Sequence, residues 1–203
     1  MPALQNARFL LSAATIRDFP PEDAPEVAFA GRSNVGKSSA LNALAGRRRL
    51  AFASKTPGRT QTINFFQLDG AGRIADLPGY GYAAAPRSTR AGWDALIGGY
   101  LAERRCLAGV VSLMDARRPL MESDRHFLEW LRPVAAPRLV LLSKADKLTR
   151  ADGARTLARV RAALSRLAVD AQVLLFSSKS GEGVDAARAT VESWLQASRA
   201  LQK

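Results

Sequence analysis

The chain has 203 residues, enough for one domain with a full hydrophobic core and too few for a second domain that folds alone. Its 47% apolar and 24% charged residues exclude wholesale disorder, while a net charge of +12 points to a polyanionic partner. One cysteine, Cys106, and one histidine, His126, exclude an internal disulfide, a zinc finger and a Cys-His dyad.

The amino terminus carries a six-residue run, Phe9–Ala14, bracketed by Arg8 and Arg17, too short for a secretory segment. No stretch approaches the ~18 apolar residues of a membrane span. Residues 1–26 are expected to be a lead-in, with Phe19–Pro25 a loop, residues 27–200 the domain and 201–203 a tail. β-rich runs follow at Val27–Ala30, Thr62–Leu68, Arg73–Ala75, Gly109–Met114, Leu139–Leu142 and Gln172–Phe176. Helix-length stretches separate most of them. Leu157, Val160, Leu164 and Leu167 share one helical face, with Arg155, Arg159 and Arg166 turned to solvent. Val184, Ala187, Val191, Trp194 and Leu195 repeat the pattern. Strands alternating with helices predict an α/β fold of three layers, a mostly parallel six-stranded sheet with helices on both faces.

The segment Gly31-Arg32-Ser33-Asn34-Val35-Gly36-Lys37-Ser38 fits G-x-x-x-x-G-K-[ST], between a strand and a helix that opens at Ser39. Its glycines let backbone N–H groups wrap phosphates, Lys37 neutralises the β- and γ-phosphates, and the Ser38 hydroxyl ligates Mg²⁺. Asp76-Leu77-Pro78-Gly79 follows the strand Arg73–Ala75. There Asp76 is placed to hold Mg²⁺, directly or through water, and the Gly79 N–H to meet the γ-phosphate. In the polar loop between these motifs, Pro57, Gly58, Arg59 and Thr60 line the nucleotide, and Thr60 is the candidate third Mg²⁺ ligand. Thr56 and Thr62 are alternatives to Thr60, and a plain turn capped by hydroxyls is the bland alternative.

Base choice falls to Ser143-Lys144-Ala145-Asp146 after the strand Leu139–Leu142. Guanine offers two N–H donors on one edge, and the Asp146 carboxylate accepts both; adenine offers no such pair. The Lys144 stem covers the purine face. Phe176-Ser177-Ser178-Lys179 follows the last strand, where a backbone N–H reaches guanine O6. Four motifs at successive strand ends share one edge of the sheet.

In this order the motifs resemble the Ras-like GTPases. Ala28–Ser39 (AFAGRSNVGKSS), Lys55–Gln61 (KTPGRTQ), Asp76–Ala83 (DLPGYGYA), Leu113–Leu120 (LMDARRPL) and Leu142–Leu148 (LSKADKL) are similar, more narrowly, to the EngB family. The resemblance runs from about Phe9 to Trp194. It implies a P-loop GTPase that binds GTP and GDP with Mg²⁺. It further implies a cytoplasmic switch in assembly of the large ribosomal subunit, tied to cell division through ribosome supply. Two departures stand out. Ser143 replaces the threonine usual in this family, and Tyr80 occupies the place where Ras-like proteins carry a water-positioning glutamine. The resemblance therefore implies slow intrinsic hydrolysis. Asn34 matches the asparagine with which some related GTPases coordinate K⁺, which would supply positive charge in the transition state. A purely local role for Asn34 is the alternative, and Arg59 is another source of that charge.

Arg47-Arg48-Arg49, Arg104-Arg105 and Arg117-Arg118 are candidate rRNA contacts, and twenty-four of the thirty basic residues are arginine. Trp93, Trp130 and Trp194 are expected in packing, His126 on a helix surface, Cys106 buried, and the protein monomeric. Two other readings of the chain stay open here: a P-loop ATPase or phosphotransferase, and a nucleotide-gated RNA- or ribosome-binding protein with negligible turnover.

Overall fold

The computed structural model describes residues 3–47, 50, 51, 62–81 and 87–201, with the side chains of 87–91, 93, 94 and 201 outside it. Seven strands form one sheet: β1 (Arg8–Ala13), β2 (Glu26–Gly31), β3 (Ile63–Leu68), β4 (Gly72–Asp76), β5 (Leu107–Asp115), β6 (Arg138–Ser143) and β7 (Gln172–Leu175). The order across the sheet is β1-β3-β4-β2-β5-β6-β7. β3 pairs antiparallel with both β1 and β4; the remaining pairs are parallel.

Among the described residues, five α-helices pack against it: α1 (Lys37–Leu44), α2 (Arg87–Glu103), α3 (Glu122–Leu131), α4 (Arg150–Arg166) and α5 (Val184–Leu201). Alternation along β2 divides the core. Val27 and Phe29 face α1 and α5, beside Leu41, Leu44, Val191 and Leu195. Ala28 and Ala30 face the other layer, beside Tyr100, Phe127, Leu128, Val160 and Leu164. β2 is buried along its whole length, as a central parallel strand must be. Trp194 packs against β5 at Gly109, where a Cβ would come within 2.0 Å of its ring. Only glycine lets the helix approach this closely. Among the described residues, no helix is long and apolar enough to cross a membrane.

The six expected strands are present, and the expected count is one short. The run beginning at Phe9 is not a lead-in; it adds β1 as an edge strand beside β3, with a bulge between Phe9 and Leu11. Its alternation is masked because Phe9 and Leu10 are both exposed. Phe9 meets Phe66 edge-on at 6.0 Å.

At the amino end of β2 the side chain of Glu26 is fully buried. Arg104 donates to it through Nε at 2.9 Å and Nη2 at 2.5 Å, and the Tyr100 hydroxyl donates at 3.1 Å. Arg104 also donates to the Pro20 carbonyl at 2.7 Å and lies 5.7 Å from the Phe19 ring. Arg104 is therefore not an RNA contact: its charge is consumed inside the fold, whereas Arg105 is exposed. Cys106 is buried beside this cluster, and burial pushes its thiol up to about 12, which makes it inert at neutral pH.

Removing one partner of a buried pair strands the other charge. Arg104→Leu should lower the free energy of unfolding by roughly 3–5 kcal/mol in urea denaturation. A loss below about 1 kcal/mol, the range of exposed pairs, would contradict the structural role given to this arginine.

Candidate nucleotide site

β2 ends at Gly31, where a Cβ would lie 2.8 Å from Val35 Cγ1 and 3.1 Å from Leu113 Cβ. The loop folds back tightly enough that any side chain there would collide with it. Asn34 (φ 63°) and Gly36 (φ 102°) turn the backbone through the left-handed region into α1. Val35 N–H donates to the Arg32 carbonyl at 3.1 Å. Lys37, Ser38 and Ser39 form the first turn of α1, where the backbone N–H groups have no helical acceptors and the helix dipole is positive. Ala40, Leu41 and Leu44 anchor the helix in the core.

β4 delivers Asp76 to the same edge, in parallel register with Phe29 of β2. Lys37 Nζ forms an ion pair with Asp76 Oδ1, both side chains being largely buried. Leu77 N–H extends the ladder to the Phe29 carbonyl at 2.9 Å. After Pro78, Gly79 lies against the phosphate loop, and a Cβ there would meet Ser33 Oγ at 3.0 Å. Tyr80 N–H donates to the Gly31 carbonyl at 3.3 Å, and Ser33 N–H to the Tyr80 carbonyl at 3.2 Å. The donor chemistry suits a small hard cation: Ser38 on the first turn of α1 carries a hydroxyl, and Asp76, paired with Lys37 of that same turn, carries a carboxylate.

β5 and β6 supply the other half. Ser143 Oγ donates to the Val35 carbonyl at 2.7 Å, tying the base motif to the phosphate loop, with the Met114 carbonyl at 3.2 Å. Lys144 (φ 59°) reaches over that loop, its Nζ 2.8 Å from the Asn34 carbonyl and 3.0 Å from Asp115 Oδ2. Ala145 N–H donates to the Phe176 carbonyl at 3.1 Å, joining this motif to the turn after β7. In that turn Ser177 Oγ donates to Asp146 Oδ1 at 2.7 Å and accepts from the Lys179 and Ser180 amides, both at 3.2 Å. Asp146, Ser178 and Lys179 are exposed.

The described nucleotide-site candidates thus lie at one edge of the sheet, the carboxyl ends of β2, β4, β6 and β7. Thr60 lies outside the described residues, with Thr56, Pro57, Gly58 and Arg59. The Thr62 hydroxyl is engaged by Asn64 Oδ1 at 3.3 Å, at the start of β3. Two acidic residues at this edge belong to none of the four sequence motifs. Asp115 accepts from Arg117 Nη2 at 2.7 Å and from Lys144, and these cations hold its carboxyl well below the usual carboxylate range. Arg117, expected to contact RNA, thus spends its guanidinium on Asp115. Asp124, on the first turn of α3, accepts from Arg32 Nε at 3.0 Å. The first lies within Leu113–Leu120, one of the strings that carry the family resemblance. The second has none beyond its place in a helix's first turn.

The Ser177 hydrogen bond holds the Asp146 carboxyl below its ordinary value. A depressed carboxyl contributes stability above its unfolded pKa and loses it as pH falls through the folded value. Asp146 is therefore ionised at neutral pH. Ser177→Ala should raise its titration midpoint, read by carboxyl-carbon NMR. An unmoved midpoint would show that this bond does not set the charge of Asp146.

Comparison with known proteins accords with this geometry. Residues 26–144 match the family described as 50S ribosome-binding GTPase. The chain is 52% identical over 198 residues to the probable GTP-binding protein EngB of Dechloromonas aromatica, covering 96% of this chain and 90% of that relative. It is 53% identical over 195 residues to the counterpart in Thiobacillus denitrificans, covering 96% and 93%. Among solved structures, a probable GTP-binding protein EngB superposes with TM-score 0.68 at 21% identity, covering 84% of this chain and 98% of that one. Era of Aquifex aeolicus, bound to GDP and aluminium fluoride, gives 0.65 at 20% identity, covering 84% and 56%. These likenesses carry the P-loop GTPase fold, and the sequence relatives carry the family: the chain belongs to the EngB GTP-binding proteins and is a GTPase.

Proposed function

We propose that this protein is a cytoplasmic switch that binds the large ribosomal subunit, or its precursor, in the GTP form and leaves after slow hydrolysis, supporting cell division through ribosome supply. The observation that carries the nucleotide half is the convergence of Lys37, Asp76, Lys144 and Asp146 on one edge, linked through the phosphate loop. Bound GTP would have its phosphates wrapped by the backbone of Gly31–Ser39, with Lys37 turning from Asp76 to the β- and γ-phosphates. Mg²⁺ would be held by Ser38, by Asp76 (directly or through water) and by Thr60, and would neutralise phosphate charge. Gly79 would offer its N–H to the γ-phosphate. Lys144 would cover the purine, Asp146 accept its two N–H donors, and the Ser178 N–H reach its O6. Asn34 is exposed, and its side chain has no hydrogen-bond partner among the described residues, which suits it to a K⁺ ion beside the phosphates.

Tyr80 supports the reading of slow turnover. Its side chain is buried against α3, so it positions no water at the phosphate edge.

The ribosomal half is supported by the family description and by how the arginines are distributed. Arg73, Arg104, Arg138 and Arg188 spend their guanidinium groups on carboxylates and backbone carbonyls of this fold. Arg159 and Arg166 on α4 are exposed, without a carboxylate partner among the described residues. Arg118 is exposed as well.

The test is sedimentation with large ribosomal subunits at near-physiological salt. Co-migration should occur with a non-hydrolysable GTP analogue and be lost with GDP or no nucleotide. Replacing Arg159 and Arg166 with alanine should flatten the log–log salt dependence of binding by up to ~2, about one for each phosphate no longer neutralised. Equal binding in all nucleotide states would reduce the interaction to charge alone, and no binding would overturn the ribosomal assignment.

A further inference from the structure

Asp124 divides its two carboxylate oxygens between different tasks. Oδ2 accepts the Met121 N–H at 3.1 Å and closes the first turn of α3. Capping needs nothing more. Oδ1 accepts from two side chains far away in sequence: Arg32 Nε at 3.0 Å and the Tyr80 hydroxyl at 3.3 Å. Arg32 belongs to the phosphate loop, and Tyr80 directly follows Gly79. The carboxylate is completely buried. Arg32 is fixed further by its second bond, Nη2 to the Arg118 carbonyl at 3.0 Å.

The surroundings leave Tyr80 little freedom. Its ring stacks on Phe127 of α3 with centroids 5.0 Å apart and planes 15° apart. Gly81 packs against the first turn of α3, where a Cβ would come within 2.7 Å of Ser123 Oγ. The segment carrying Gly79 is thus held from one side by the phosphate-loop backbone and from the other by α3.

We infer that Asp124 is a positioning residue for the GTPase: it clasps Tyr80 and Arg32 together and so presets the Gly79 N–H for the γ-phosphate. This rests on the role proposed above for Gly79. The energetic logic is preorganisation. Ordering the Leu77–Tyr80 segment in advance favours only a ligand that contacts it, and GDP lacks the group in question. A helix cap alone would serve GDP and GTP equally.

The experiment measures dissociation constants of the full-length protein for GDP and for a non-hydrolysable GTP analogue, both with Mg²⁺. Tyr80→Phe keeps the ring and its stacking on Phe127 and removes only the hydroxyl. It should weaken the analogue about 3-fold or more while leaving GDP within about 2-fold, the range expected for one hydrogen bond. Asp124→Asn should show the same selectivity, and the double variant should be little worse than Asp124→Asn, because both changes break one link. Equal weakening of both nucleotides, an unchanged ratio, or tighter analogue binding in Tyr80→Phe would overturn the clasp. Gly79→Ala separates the two readings. If it raises the analogue-to-GDP ratio while Tyr80→Phe does not, the clasp alone fails. If Gly79→Ala also leaves the ratio unchanged, the role of Gly79 fails and the clasp fails with it.

Discussion

The ion pair between Lys37 and Asp76 is the contact on which the rest of this architecture converges. It joins the first turn of α1 to the end of β4, two elements brought together only because β4 runs parallel to β2 in register. Both side chains are largely buried, so each needs the other, or an equivalent charge, for its burial to be tolerable. On the role proposed for this site, a triphosphate with its cation would supply such equivalents to both at once: anionic oxygens for Lys37 and a positive ion for Asp76. The site is poised for exchange of partners rather than for creation of new charge.

That poise needs a rigid frame, and the frame is built at the opposite end of β2. Glu26, Arg104 and Tyr100 lock the strand's amino end, while Phe29 and Val27 bury one face against α1 and α5. Chemistry sits at one end of the strand and an interlocked polar cluster at the other. The links among those loops, Ser143 to the Val35 carbonyl and Lys144 to the Asn34 carbonyl, make the base and phosphate halves one unit.

Most of the fold, and the gathering of the candidate residues at one edge of the sheet, are legible in the sequence because each depends on local pattern. Buried parallel strands announce themselves as short β-rich runs, and a phosphate loop by glycines between a strand and a helix. β1 escapes that reading because Phe9 and Leu10 both face solvent and erase the alternation by which a strand is recognised. Arg104 is misjudged because charge along the chain does not distinguish a solvated arginine from one facing a buried Glu26 that lies 78 residues away. Asp124 is invisible for the same reason, its partners lying 92 and 44 residues distant. Long-range polar pairing carries no period, and only the folded chain reveals it.

The central claim is that the strand-end motifs form one site that reads guanine through Asp146. Titration calorimetry with GDP, ADP and xanthosine diphosphate, on the wild-type protein and on Asp146→Asn, tests it directly. The wild type should bind GDP and reject ADP by a factor on the order of 10³ or more, since the wrong base leaves the carboxylate unpaired. Asp146→Asn, whose amide can donate to the xanthine carbonyl, should lose GDP and gain xanthosine diphosphate. Comparable binding of GDP and ADP by the wild type, or an unchanged preference in Asp146→Asn, would contradict the account.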